Sequence, residues 1–347
     1  MKGLQCLQEL RPTITEVLNI SGAAGASIGV IQGNEVYTAA FGNRDLLSGL
    51  EPDENTIYHL ASLSKSFTAA GIGILVDDNK LSWDQKIQKE STVMDFLSHR
   101  TGLATKNALW KQDGPELLLE QGDTIALTSY LEVVEPFRSK WLYNNWGYDI
   151  GSHITEQASQ MSWGSFLRER ILTPLGLNNT HTSVDVPDEN YARGYMPDLY
   201  GRLTDVGRPM IGEGTVQQGS NGVKSTVSDL LKYYKAILGA WKAETTATPS
   251  SSPLKNVRDL LTGQIPLDPD SKAGQWYGPG WAIAELPAPL RAMGTNPMFV
   301  SAMPLVGKGT AKKQIVWYHN GSLVGLFSSV HILPESDTII VVLGLQG

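Results

Sequence analysis

Ser62-Leu63-Ser64-Lys65-Ser66-Phe67-Thr68-Ala69-Ala70-Gly71-Ile72-Gly73-Ile74-Leu75-Val76 decides the fold. From Phe67 onward the run has almost no polar side chain, so it reads as a helix buried on all sides. Ser62 and Lys65 stand three residues apart and share one face of that helix. A serine at a helix start sees the positive end of the dipole, which favours negative charge developing there. A lysine in a dry interior has its pKa pushed down and becomes a base near neutral pH. Hydroxyl and amine together are the parts of an activated nucleophile. The same spacing recurs at Ser252-Pro253-Leu254-Lys255, inside the polar stretch from Thr245 to Pro253, which reads as a solvated loop. Taken alone, Ser62 and Lys65 also fit a helix cap followed by a surface lysine.

Two further segments bear on the choice: Tyr143-Asn144-Asn145, followed by Trp146-Gly147-Tyr148, and His319-Asn320-Gly321-Ser322. Read by themselves, Tyr143 and Asn145 fit an ordinary loop and His319 a cross-strand partner in a sheet. Taken with the first segment, they follow the order and separations of the serine β-lactamase and penicillin-binding-protein superfamily, which the chain resembles. They match its tyrosine-x-asparagine element and its lysine-threonine-glycine or histidine-x-glycine triplet. Leu97-Ser98-His99-Arg100-Thr101-Gly102-Leu103 and Pro174-Leu175-Gly176-Leu177 are similar to a loop and a turn of the class C β-lactamase and esterase branch. The resemblance therefore spans nearly the whole chain.

It implies Ser62 as nucleophile, Lys65 as its base partner and Tyr143 as a phenol that shuttles the proton. Asn145 would orient Lys65 and the substrate, and His319 would face Tyr143 across the cleft. The N–H groups of Ser62 and Ser322 would form the oxyanion hole, with Gly321 and Trp146 beside the bound substrate. The implied fold is α/β (α+β) and β-lactamase/transpeptidase-like: an antiparallel sheet flanked by helices and completed by both termini, with a mostly helical insertion. The sheet domain would take 1–75 and 255–347, the helical domain 76–254, and the active site the cleft between them. Family members usually close with a helix across the sheet, whereas this chain stops at Gly347 after its last strand. Either the chain is truncated or that sheet face is covered by other means.

Position 319 departs from the lysine usual in β-lactamases and D,D-peptidases, whose fixed charge grips a substrate carboxylate. Histidine is only partly charged near neutral pH. The change resembles esterase, aminopeptidase and acyltransferase members, so an ester, thioester, amide or lactone is expected as substrate and penicillins as poor ones. Two alternatives stand beside a hydrolase. One is an acyltransferase of specialised metabolism moving an acyl group from a thioester carrier to an alcohol. The other is a non-hydrolytic member, either a binding protein or a base-catalysed cyclase or isomerase using Lys65 and Tyr143. Trp110, Trp141, Trp146, Trp276, Tyr277 and Trp281 lie near the three segments and fit either an aromatic-walled pocket or core packing.

Rival chemistries find less support. Gly25-Ala26-Ser27-Ile28-Gly29 matches the Gly-x-Ser-x-Gly elbow, but it runs on into Val30-Ile31-Gln32 and turns at Gly33-Asn34, which is strand then hairpin. The six histidines include no pair at helical ligand spacing and no cysteine companions, so neither a metal nor another cofactor is expected. At 347 residues, 41% apolar and 18% charged, the chain can bury a large core. A net charge of −7 argues against nucleic acid or an anionic membrane as partner and leaves a small molecule. Cys6 is the sole cysteine, which excludes an internal disulfide. The N-terminus lacks the apolar core of a secretion signal, so a cytoplasmic protein is expected unless a signal has been removed. Helical spacing runs from Leu4 to Leu18 with an interruption near Pro12, and Thr226-Val227-Ser228-Asp229 predicts a capping box. Late strands are predicted at Gly280 to Glu285, Ile315 to His319, Leu323 to Leu333 and Thr338 to Leu345.

Overall fold

The computed structural model describes residues 2–88, 90–107, 117–187, 189–268, 274–290, 293, 302–310 and 312–345, except the side chains of residues 2–6. The Cys6 side chain and Trp110 therefore lie outside the described residues. Eight strands form one sheet: β1 Gly25–Gln32, β2 Glu35–Gly42, β3 Ile265–Pro266, β4 Trp276–Gly278, β5 Trp281–Leu286, β6 Gln314–Leu323, β7 Leu326–Leu333 and β8 Thr338–Leu345. Their order is β2-β1-β8-β7-β6-β5-β4-β3, with every neighbouring pair antiparallel. The first hairpin joins the last strand through a register from Ala26↔Gly344 to Gln32↔Thr338. Residues from both ends of the sequence thus complete one sheet.

Strand alternation sorts the side chains between two faces. Ile339, Val341, Leu343 and Leu345 of β8, with Val330 and Ile332 of β7, point into the main core. Helix α1, Lys2–Ser21, packs Leu7, Ile14 and Leu18 on the other face against Ile28 and Phe41. It runs through Pro12 without the interruption expected there. A proline inside a helix removes one i→i−4 hydrogen bond, and the apolar contacts with β1 and β2 outweigh that loss.

Helix α2, Ser64–Asp77, is buried along almost its full length. Two longer helices enclose it: α4, Asn145–Ser159, and α5, Val227–Thr245, with the short α3, Val93–Leu97, packed beside α4. Phe67 of α2 stacks on Tyr233 of α5 with ring centroids 3.9 Å apart. Helix α5 in turn lies on the sheet, where Tyr234 meets Trp281 edge-on and Trp241 meets Trp317. Thr226 caps α5 by accepting the Asp229 N–H. The expected capping box is only half made, because the Asp229 carboxylate turns to the Asn179 N–H and the Thr180 hydroxyl.

The β6–β7 boundary also differs from expectation. A single strand, β6, runs through His319 to Leu323, and the chain turns at Val324 and Gly325. Gly325 takes φ +76°, a left-handed value that glycine adopts without a side-chain penalty. Ser27, inside the Gly-x-Ser-x-Gly match, lies in β1 and donates to the Asp53 carbonyl. Among the described residues no helix is long and apolar enough to cross a membrane.

Asp95 pins the loop that follows α3. Its fully buried carboxylate accepts from the N–H and hydroxyl of Thr92, from Arg100 Nε at 2.5 Å and from Arg138 at 2.8 and 2.9 Å. Arg100 also donates to the Gln264 carbonyl next to β3, which ties the loop to the sheet edge. Removing one partner of a buried charge pair costs about 3–5 kcal/mol, here because Arg100 stays largely buried without compensation, whereas the half-exposed Arg138 can turn to solvent. Asp95→Ala is expected to lower unfolding stability by about that amount. Urea denaturation checks this, and a loss under about 1 kcal/mol would mean that the arginines find other partners.

Candidate active site

Ser62 sits in the 3₁₀ turn Ala61–Leu63 that leads into α2, and Ala61 before it is held at φ +48°. A non-glycine residue there is strained, and such strain persists only where the surroundings enforce it. Lys65 lies in the first turn of α2, with no solvent exposure. Its Nζ is 2.9 Å from Ser62 Oγ, 2.7 Å from Asn145 Oδ1 and 3.1 Å from the Ser220 carbonyl. The last two can only accept hydrogen bonds. Once the amine is neutral, both its protons go to them and its lone pair faces Ser62.

Burial drives Lys65 toward that state. Desolvation pulls its pKa well below 10.5, while the negative charge of Asp149 works the other way. Asp149 lies one turn beyond Asn145 on α4 and accepts from the Gln217 N–H at 2.8 Å and the Thr124 hydroxyl at 3.0 Å. Burial raises its own pKa.

Tyr143 approaches from the opposite side and donates to Ser62 Oγ at 2.7 Å. Burial raises the phenol pKa, so it stays protonated. Asn145 is fixed in turn by Asn107, whose Oδ1 accepts from its Nδ2 at 3.2 Å. Four of the anticipated residues, Ser62, Lys65, Tyr143 and Asn145, thus meet in one hydrogen-bonded cluster.

Strand β6 brings the next two. At Gly321 it closely approaches the Ser62 segment: a Cβ there would collide with the Leu60 carbonyl and lie 3.0 Å from Ser62 N. No side chain fits that gap. Ser322 is the next residue and its side chain is exposed.

His319 occupies the expected wall, its ring centroid 6.2 Å from that of Tyr143. Its hydrogen bonds go elsewhere. Nδ1 is 2.7 Å from the Asn320 carbonyl, which forces the proton onto Nδ1 and leaves Nε2 to accept from the Tyr277 hydroxyl at 3.0 Å. Burial, then the charge of Lys65, lowers the His319 pKa to about 3. The partial charge anticipated from the sequence is absent, and the imidazole is neutral at physiological pH.

Trp146 is not on the cleft wall. It is buried in the main core, and its indole donates to the Thr105 carbonyl, which anchors the segment leading to Asn107. Trp281 is likewise core, and Trp276 is half exposed at the sheet edge. The aromatics that pack behind the cluster are Trp141, Tyr143, Tyr148 and Tyr277, gathered around His99, with Tyr148 and Tyr277 themselves fully buried. The Ser220 carbonyl, Asp149, Asn107 and the hydrogen-bonding role of Tyr277 escaped the sequence reading. Only the glycines at 219 and 222 marked the Ser220 turn as a place of close packing.

The Beta-lactamase family model matches residues 10–344. The chain is 29% identical to penicillin-binding protein 4* of Bacillus subtilis (strain 168), over 67% of this chain and 55% of that protein. It is 24% identical to an unguisins hydrolase of Aspergillus campestris, over 71% of this chain and 52% of that protein. It thus spans about half the length of these relatives. Among solved structures, the octameric penicillin-binding protein homologue from Pyrococcus abyssi is similar in fold, with a TM-score of 0.77 at 24% identity over 98% of this chain and 74% of that one.

The burial of Lys65 has a measurable consequence. In the folded protein its amine is expected to lose its proton well below the exposed lysines, as seen by NMR titration of labelled lysine with Lys65→Met as the assignment control and the buried Lys224 assigned separately. Asp149→Asn removes the charge that holds the pKa up and is expected to lower it further. An unchanged or raised Lys65 pKa in Asp149→Asn would exclude the electrostatic link.

Proposed function

We propose, from the premise that this chain belongs to the Beta-lactamase family, that it is a serine hydrolase forming an acyl-enzyme at Ser62 on uncharged ester, thioester, amide or lactone substrates. One observation carries the proposal: the Lys65 amine and the Tyr143 phenol converge on Ser62 Oγ at 2.9 and 2.7 Å. Tyr143 already donates to that oxygen, so the serine proton is free to point at the lone pair of neutral Lys65.

Ser62 Oγ attacks the carbonyl carbon as its proton passes to Lys65 Nζ. The tetrahedral oxyanion is held by the N–H groups of Ser62 and Ser322. As the intermediate collapses, the leaving group takes a proton from Tyr143, and the proton that Lys65 took from Ser62 passes on to the phenolate, because the acylated serine oxygen carries none. Water then attacks the acyl ester while giving a proton to neutral Lys65, and Lys65 returns that proton to Ser62 Oγ as the ester bond breaks, releasing acid and free Ser62. An alcohol in place of water turns hydrolysis into acyl transfer without changing a residue's role.

The preference for an uncharged substrate rests on position 319. Neutral His319, locked between Asn320 and Tyr277, offers no cation to a carboxylate.

Intact-mass measurement with activated neutral esters, thioesters and β-lactams tests the reading: wild type is expected to gain the acyl mass and Ser62→Ala to gain none. Labelling of Ser62→Ala, or turnover within about tenfold of wild type, would sink the mechanism. His319→Lys is expected to move kcat/KM toward a carboxylate-bearing ester over its neutral analogue by about ten- to a hundredfold, the worth of one charge-assisted contact. A ratio that does not move would return the anionic substrates to consideration.

A further inference from the structure

His99 touches Tyr143 and its neighbours in three separate ways. Its carbonyl accepts the N–H of Leu142 at 2.9 Å, its Nδ1 accepts the N–H of Asn144 at 3.1 Å, and its ring packs on the Tyr143 ring with centroids 4.5 Å apart. The residues on both sides of Tyr143 and the phenol ring itself are therefore fixed by one residue. To do this His99 is held at φ +59°, a left-handed backbone uncommon for a residue with a Cβ. The loop is locked in place by the Asp95–Arg100 pair beside it.

The protonation state follows from the geometry. Nδ1 faces a donor, so it carries no proton, and the N–H is on Nε2. That nitrogen is buried without a hydrogen-bond partner among the described residues, and Tyr148, Tyr277 and Trp141 pack around the ring. Burial above all, then the charge that Lys65 carries when protonated, favours this neutral form.

We infer that His99 is the positioning residue of the Tyr143 phenol, holding its backbone on both sides and its ring face so that the hydroxyl stays 2.7 Å from Ser62 Oγ. The inference rests on the acyl-enzyme reading above and assigns His99 no contact with substrate. Its effect belongs to the proton-transfer step, so it falls on kcat rather than KM.

A variant series on hydrolysis of a neutral chromogenic ester tests it, with rates normalised to the acylatable fraction. His99→Leu removes the acceptor and is expected to lose about 10–100-fold in kcat while KM stays within about threefold. His99→Asn tolerates the left-handed backbone and sets Oδ1 at the Nδ1 position, so it is expected to recover to within about fivefold of wild type. In a Tyr143→Phe background, His99→Leu is expected to cost less than about twofold, since the hydroxyl it positions is gone.

The same loss in both backgrounds, or a folded His99→Asn as slow as His99→Leu, would overturn the inference by making His99 only a packing residue. If His99→Leu does not fold, His99→Gln, whose amide falls one bond beyond the Nδ1 position, takes its place with the same outcomes. Full turnover in His99→Leu beside a crippled Tyr143→Phe overturns this inference alone. Full turnover in Tyr143→Phe overturns the shuttle mechanism and the inference together.

Discussion

An amine without water, set between two groups that can only accept hydrogen bonds, is the constraint on which this structure turns. Lys65 owes its neutral amine to the apolar run behind it, because a helix buried on all sides leaves the charged form no solvent. An unpaired ammonium in such a place costs several kcal/mol, so the proton is given up readily. Asn145 and the Ser220 carbonyl then convert loss of charge into direction by taking the two remaining N–H groups. Apolarity supplies the base and two oxygens aim it.

Enclosing α2 requires material from distant parts of the chain, and the fold can be read as the means of supplying it. Helix α4 brings Asn145 and Asp149, α5 brings the tyrosine that stacks on Phe67, and the sheet supports both. Strand β6 then has to approach the nucleophile segment closely enough that position 321 has no room for a Cβ. Its register matters as much as its distance. A slip of one residue would turn His319 to the opposite face and replace Gly321 by a residue with a side chain. The ladders from His319↔Val330 to Leu323↔Leu326 on one side and Ala282↔Tyr318 on the other fix that register.

The pairing of Ser62 with Lys65 was legible in the sequence because it depends on local spacing in an apolar run, whereas the fold class came from the resemblance that the three segments carry together. The meeting of Tyr143 and Asn145 with that pair, across about eighty residues, came from resemblance alone. Other contacts carry no sequence signal at all. The Ser220 acceptor is a backbone carbonyl, identical in every residue type, and only the path of the chain brings it to Lys65. Trp146 was misplaced because a tryptophan beside a functional asparagine looks the same whether its ring faces the cleft or the core. On α4 the neighbour of an inward-facing Asn145 is turned about 100° away from it, and here that direction is the core. Pro12 and the half-made cap at Thr226 failed for a shared reason: tertiary contacts overrode a local rule.

The neutrality of His319 and that of Lys65 are best understood together. A second ammonium at position 319 would sit close enough to Lys65 to lower its pKa further through like-charge repulsion. With His319 held neutral by a carbonyl on one nitrogen and a phenol on the other, that repulsion vanishes, and the Lys65 proton is governed by burial against the single charge of Asp149. Tyr277, which looks like one more core aromatic in the sequence, thus contributes to the electrostatics of a serine it does not touch. By satisfying Nε2 it removes the site at which the imidazole would gain a proton. It thereby leaves Lys65, Ser62 and Tyr143 as the groups among which a proton can move.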